Sequence, residues 1–503
     1  MERRDFLNYS LLTTAGLLTG CATTEPRSAK LNNSFPPIAP MDEKLLPRTA
    51  LSEHRPLPTL PLLKNESATP GIFKGHLTIK KQIVHLGPNV NPELYLYNGV
   101  LGGPQIVAYE GDKVEITVYN QLSEPTTIHW HGLVVPADQD GGPEALIAPG
   151  EKRIYRFTLP ENSAGTYWYH PHPLLLSATQ TYRGLAGTFI IKSRRDPLRK
   201  LPEQHWFISD MRLNLQGQIS DNTMMDWMNG RTGNFLLING ALYPNIRLNG
   251  ETRVRLWNAT NARYLRLAIP GTRFKVVGTD GGLLPHPYFS EEIFITPGER
   301  YEFIIDHSGP LNAHLVALPY DRKKMMEPFI PHTLNLAKIH FDGGRAAIPR
   351  HLRSTPVLPV LKVRKEIVYQ ENMPHKEKGH SLTPADLAHM FTINGSVFSL
   401  RRVDLISAQN MWEEWRIHND TDMDHNFHLH GLQFYVLGKE KNGVQIPLPW
   451  GQGARKDTVN LKAKETVTLA CRQIYPGTRM YHCHILEHEG LGMMGTLRVV
   501  ATA

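Results

Sequence analysis

Along most of the chain, polar and apolar positions alternate over short stretches. "KVEITVYN" (113–120), "RVRLWN" (253–258) and "TVTLACR" (466–472) each divide their side chains between two faces. That is the period of a half-buried β-strand, in which residues i and i+2 share a face. The runs are punctuated by Gly, Pro and Asn, so the pattern predicts an all-β protein of sandwiches or barrels.

The strands recur on one plan. "YNGVLGGPQIVAYEGDKVEITVYNQLS" (97–123), "INGALYPNIRLNGETRVRLWNATN" (238–261) and "INGSVFSLRRVDLISAQNMWEEWRIHNDTD" (393–422) share it. Each has Asn-Gly, a short extended run, a turn, a β-rich strand and an Asn ending that strand. "IAPGEKRIYRF" (147–157) matches "ITPGERYEFII" (295–305), and "LKAKETVTLAC" (461–471) is a weaker third copy. The copies lie roughly 140 to 155 residues apart, a suitable size for one such domain. Three β-domains are expected, at 60–195, 196–350 and 351–503, with breaker-rich boundaries in "SRRDPLRK" and "GGRAAIPRHLRSTP".

The N-terminus breaks the alternation. In "MERRDFLNYSLLTTAGLLTGCATT", Arg3 and Arg4 resemble a twin-arginine export signal, and "LTGC" resembles a lipobox ending at Cys21. Residues 1–21 are therefore read as an export signal, with Cys21 a candidate lipid anchor and cleavage without lipid the alternative. The apolar run is too short and too Thr-rich to span a membrane in the mature protein. Residues 22–59 are Pro-rich and polar and suit a tether. An exported protein, periplasmic or tethered to the envelope, is expected.

Charge narrows the partners little. The formal charge of +8 is spread along the 503 residues, with no stripe of Lys/Arg interleaved with aromatics, so nucleic acid is not expected. A monomer is expected. Of three cysteines, Cys471 alternates with Val467 and Leu469 and reads as a small buried residue. Cys483 stands in a different context.

Histidines are laid on the repeat. The first copy carries "HWHG" (His129, His131), the third "HNFHLHG" (His425, His428, His430), and the second has none at that place. "AGTYWYHPH" (164–172) aligns with "PGTRMYHCH" (476–484), so His170 and His172 fall opposite His482 and His484. Four His-x-His pairs result, two in each terminal domain. On a strand both imidazoles of a pair converge on one side while the residue between them points away. Cys483 is thus bonded to two candidate ligands yet belongs to a different site.

Ten histidines, one cysteine and one methionine are too many for a single four-ligand zinc. Two histidines, a thiolate and a weak thioether (His425, His488, Cys483, Met493) make an electron-transfer copper site, and eight imidazoles suit three further coppers. With these motifs the chain resembles the multicopper oxidases, in particular the bacterial periplasmic copper-efflux and laccase-like group, over roughly residues 60–503.

The resemblance implies three tandem cupredoxin-like Greek-key β-barrels and four copper ions. His425, Cys483, His488 and Met493 would hold the type 1 copper, and His129 and His428 the type 2. His131, His170 and His484 would hold one type 3 copper, and His172, His430 and His482 the other. It also implies electrons passing from type 1 through Cys483 to the cluster, where dioxygen becomes water. Asp140 and Glu489 match family acids that assist proton delivery; their plainer readings are a turn-forming Asp and an exposed Glu.

The electron donor is less legible. Met423 matches a substrate-site methionine of copper-efflux oxidases, and Asp422 stands near the acid expected there, whose own position is Thr421. The Met-rich insertion of that group is missing: 369–390 holds only Met373 and Met390, although "KKMMEP" offers Met325 and Met326. A metallo-oxidase of Cu(I), or Fe(II), is the leading expectation, and a laccase-like oxidase of phenols and aromatic amines the alternative. A non-enzymatic envelope scaffold of the same fold is the third, disfavoured because all twelve ligand positions survive.

Overall fold

The computed structural model describes residues 35–372, 384–451 and 453–502. The segment read as an export signal, with Cys21, and Met373 lie outside them. Strands take up 44% of the chain and helices 6%, so the molecule is all-β, as the alternation predicts.

Six sheets pair into three sandwiches. In the first unit the sheet of Ile72–Ile83, Glu93–Tyr97, Lys113–Asn120 and Lys152–Thr158 faces that of Ile106–Tyr109, Gly165–Tyr169 and Gly187–Lys192. The second unit packs a seven-stranded sheet against a five-stranded one between Glu203 and Phe341, and the third repeats this between Val363 and Val500. Each unit has the same parallel pair at its heart: Ile72–Ile83 with Lys113–Asn120, Glu203–Met211 with Arg253–Asn258, and Val363–Glu371 with Trp412–Asn419. Trp412–Asn419 alternates strictly between buried and half-buried positions, putting Trp415 and Ile417 into the core.

The repeated asparagines have physical jobs. Asn98, Asn239 and Asn394 sit at φ of 53°, 52° and 51°, each followed by a Gly at 74° to 78°, the paired left-handed residues of a tight turn. Each side chain also grips its domain's first strand: the Oδ1 accepts from the amides of Thr78, Phe207 and Val368 respectively. The strand-ending Asn120, Asn258 and Asn419 accept from the amide two residues on, closing Asx-turns. Their Nδ2 groups donate to carbonyls across the loop, which fixes the segments that lead to the histidine motifs.

The Pro-rich stretch expected to be a tether is, from residue 35 onward, bound to the second unit. Ala39, Leu46 and Leu57 donate their amides to Asn222, Leu213 and Asn245, and Leu51 and Leu60 are buried. Proline sets an extended backbone while the intervening residues keep donors for docking. Among the described residues four short α-helices, Ser177–Tyr182, Met224–Asn229, Pro384–Leu387 and Leu486–Gly490, interrupt the β pattern. Thr223 and Asp226 close a capping box on the second of them. No helix among the described residues is long and apolar enough to cross a membrane.

Candidate metal centre

Strand pairing brings the His-x-His pairs together. His129 and His170 exchange backbone hydrogen bonds at 2.8 and 3.2 Å in the first unit, and His428 stands opposite His482 in the third. Trp130 and Leu429 point the other way into their own cores, as the strand period requires. The two sets meet face to face: Nε2 of His129 lies 3.4 Å from that of His428, and Nε2 of His482 lies 3.3 Å from His172 and 3.0 Å from His430. His172, His430 and His482 form one compact triad of ligand atoms; His129 groups with His428 and His430, and with His131 and His170. The His484 ring lies 4.8 Å from that of His131 and 5.3 Å from that of His170.

Five of the cluster's outer nitrogens are tied down. His129 and His428 donate from Nδ1 to the carbonyls of Asp140 and Asp457 at 2.9 and 2.8 Å, and His170 and His482 to those of Pro171 and Cys483. His430 Nδ1 meets the Asp140 carboxylate at 2.8 Å. These bonds turn Nε2 inward, the arrangement that orients metal-binding imidazoles. His131 differs, since its Nε2 faces Asp457 at 2.9 Å and its Nδ1 has no partner.

A second cluster lies on the far side of His482 and His484. Cys483 Sγ is 3.5 Å from His425 Nδ1 and 3.9 Å from His488 Nδ1, and these two nitrogens are 3.2 Å apart. Met493 is fully buried in the same core, and its carbonyl accepts the Cys483 amide. Met228 carbonyl takes the remaining proton of His488 at 3.2 Å.

The donors fit metal better than they fit one another. Burial holds all ten imidazoles below their ordinary value, His129 and His172 at about 4. They are therefore neutral ligands, and in the histidine cluster Nε2 of His170 and both nitrogens of His484 are buried without a hydrogen-bond partner. A buried polar atom without a partner costs about 1–3 kcal/mol, so several in one cavity call for a cation. Burial pushes the Cys483 thiol up to about 12, and bound metal would be needed to hold it as thiolate.

Asp140 and Glu489 are both buried beside the histidines, neither in a free turn nor exposed. Burial raises Asp140 and lifts Glu489 to about 8. Glu489 Oε1 accepts from Ser177 Oγ at 2.5 Å, and its two oxygens lie 3.6 Å from His172 and His482. The pair expected to bind substrate is not assembled. Met423 is fully buried in the third core, whereas Asp422 has an 87% exposed side chain beside Lys464, because the Asx-turn at Asn419 sends successive residues to opposite sides.

Sequence reasoning missed Asp457. Fully buried, it takes a two-pronged ion pair from Arg300 and also meets His131. Burial raises this carboxyl, but Arg300 and Gln433 outweigh it and hold it below its ordinary value. Its signal was only a Lys-Asp pair inside the apolar alternation of "RKDTVNL". The second unit, whose copy of the repeat has no histidine at the motif, also reaches the cluster: a Cβ on Gly298 (φ 87°) would stand 3.1 Å from His484 and 3.2 Å from His131.

Three family models described as multicopper oxidase match residues 78–196, 201–328 and 369–502. The multicopper oxidase mco of Staphylococcus epidermidis is 32% identical over 414 residues, 80% of this chain and 83% of that one. A multicopper oxidase from Campylobacter jejuni, described as a metallo-oxidase, superposes with a TM-score of 0.90 at 44% identity, over 93% of this chain and all of the other. The cell division protein FtsP of Photorhabdus laumondii is 30% identical over 90% of this chain and 94% of its own. The chain belongs to the multicopper oxidase family. It is a copper-dependent oxidoreductase of cupredoxin fold that uses dioxygen and a reducing substrate.

Proposed function

We propose that the two clusters hold four copper ions and that the chain is a metallo-oxidase. His425, Cys483, His488 and Met493 would hold a type 1 ion, His129 and His428 a type 2 ion, and His131, His170, His484 with His172, His430, His482 a type 3 pair. Segments 60–195 and 351–503 then supply every ligand. The unpartnered nitrogens and the close Nε2 spacings support this set. When bound, copper would take electrons singly at the first site and reduce dioxygen to two waters at the second.

The chain's own residues do the rest. Cys483 is joined by peptide bonds to His482 and His484, so one strand end serves both clusters. Glu489, lifted to about 8, holds a proton at neutral pH within reach of His172 and His482. Asp140 orients His129 and His430 and carries a second proton position on the same wall.

Cu(I) as donor rests on one observation. Met224, Met225 and Met325 pack, half-buried, against the core that contains Cys483 and Met493. Asn229 fixes Met325 by bonds to its carbonyl and amide at 2.9 and 2.7 Å. Soft thioethers suit Cu(I), and the Campylobacter relative is a metallo-oxidase. Turnover of Cu(I), Fe(II) and a phenol by copper-loaded protein tests the reading. Replacing Met224 and Met225 by Leu should raise KM for Cu(I) about tenfold and spare the phenol; equal effects on both donors would remove the methionines from the metal path.

A second reading, phenol oxidation, is favoured by a cavity of about 340 Å³ lined by Tyr264, Tyr320, Phe329 and Arg322. Arg322 Nη1 donates to the carbonyl of Asp424, the residue before His425, and Tyr264 Oη and Arg322 Nη2 have no partner. Phenol turnover exceeding that of Cu(I) would favour it. A non-enzymatic envelope role, raised by the cell-division relatives, is disfavoured by the full set of twelve ligand side chains. In this reading the protein works as a monomer in the periplasm in copper tolerance, tethered through a lipidated Cys21. Mass spectrometry of the mature N-terminus tests the tether.

A further inference from the structure

A second cavity, of about 220 Å³, opens where residues of all three units meet. Five arginines line it, and three are neutralised by carboxylates. Arg195 pairs with Glu161 at 3.0 Å, Arg253 with Asp196 at 2.6 Å, and Arg255 with Glu203 at 2.7 Å. Arg353 and Arg455 are different. Among the described residues neither makes an ion pair, and their hydrogen bonds run to backbone carbonyls: Arg353 Nη2 to Gly453 at 2.6 Å, Arg455 Nη1 to Asn162 at 2.5 Å. The Nε of each is buried and has no partner.

The acids of the same wall are already engaged. Glu110 accepts the Ala164 amide at 2.9 Å, and Asp196 serves Arg253 and the Leu198 amide. Burial, and then the neighbouring Arg455, hold the Arg353 guanidinium down at about 9. Two like charges kept together with unspent donors are unfavourable in the chain alone. The arrangement becomes favourable once an anion lies between them.

We propose that this cavity binds a small tetrahedral oxyanion of the sulfate or phosphate class between Arg353 and Arg455. The guanidinium fork matches such an anion with paired N–H···O bonds. At about 30 Å³ per water, the space takes the anion with several ordered waters. The site also joins the units. Arg353 stands in the crossing from the second to the third, Arg455 reaches Asn162 of the first, and the Arg455 carbonyl accepts from Gly281 and Thr279 of the second. An anion held there binds only the folded chain and stabilises it by mass action.

The test uses copper-loaded, full-length protein titrated with sodium sulfate and, at matched ionic strength, with sodium chloride, following Tm and calorimetric binding. Sulfate should give a saturable rise in Tm and one-to-one binding; chloride should give neither. Arg353→Gln and Arg455→Gln should abolish the saturable part. Arg353→Lys keeps the charge but loses the fork, and should weaken the affinity about tenfold. A rise that is linear in salt and equal in wild type and both glutamine variants overturns the proposal, as does one-to-one binding retained in both. Should the glutamine variants fail to fold, unchanged affinity in Arg353→Lys overturns it on its own.

Discussion

At the scale of single residues, position matters more than identity. Asp140 and Glu489 are ordinary carboxylates in sequence, yet burial beside imidazoles raises both. Asp140→Asn should slow dioxygen reduction about a hundredfold while leaving copper content and donor affinity intact; unchanged turnover under saturating donor would exclude Asp140 from proton delivery. Cys483→Ser should abolish the intense visible absorption and donor oxidation, with copper content falling by one ion per chain. Retention of four ions and colour would refute the assigned split. The convergence of the histidines was legible because a two-residue period and an internal repeat are local patterns. Asp457 was not, because what makes it part of the site is Arg300, 157 residues away in the chain. The separation of Met423 from Asp422 was not legible for the converse reason: a motif can place residues beside a histidine without telling which way the turn points each of them.

Elements carry the site through their ends. The Asn-Gly turns and strand-ending asparagines recur in all three units with the same hydrogen bonds, so they belong to the fold, and only two units add histidines to it. In the second unit, remote from the metal ligands in sequence, Asn239 donates to the carbonyls of Pro58 and His205 and accepts the Phe207 amide. Asn239→Ala should therefore cost about 2–3 kcal/mol, at about 1 kcal/mol per bond lost, without changing the visible spectrum. Denaturant midpoints measure it; a loss below 0.5 kcal/mol, taken roughly as noise for a surface change, would show the turn to be held by other contacts. The alternation predicted strands well where one face is dry, as in Trp412–Asn419; Arg253–Asn258 alternates yet is buried at every position, because Arg253 and Arg255 are ion-paired with Glu302. The helices Met224–Asn229 and Leu486–Gly490 were not foreseen, since neither is long enough to show a helical period.

At the scale of the whole molecule, the three units are locked by buried charge as much as by apolar contact. Arg300 of the second unit donates to the Thr166 carbonyl of the first at 2.8 Å and to Asp457 of the third at 2.6 Å. Beside it, Glu302 accepts from Thr166 Oγ1 at 2.5 Å and from Arg255 at 2.7 Å, and it pairs with Arg253. Removing one partner of such a network leaves the others charged and dry, which costs about 3–5 kcal/mol. Glu302→Gln should lower Tm accordingly while conserving copper content. The pH dependence gives an independent check. Burial pushes Glu302 up, but Arg253 and Arg255 outweigh it and hold it below its ordinary value of 4.5; Glu203 is depressed in the same way by His205, Arg255 and Arg253. A depressed carboxyl contributes stability that is fully present above its unfolded value and is lost as pH falls through the folded one. Wild-type Tm should therefore fall as pH drops below 4.5, and the gap between wild type and Glu302→Gln should narrow over the same range. A gap that stays constant from neutral pH down to 3 would mean that Glu302 acts through shape and not through charge.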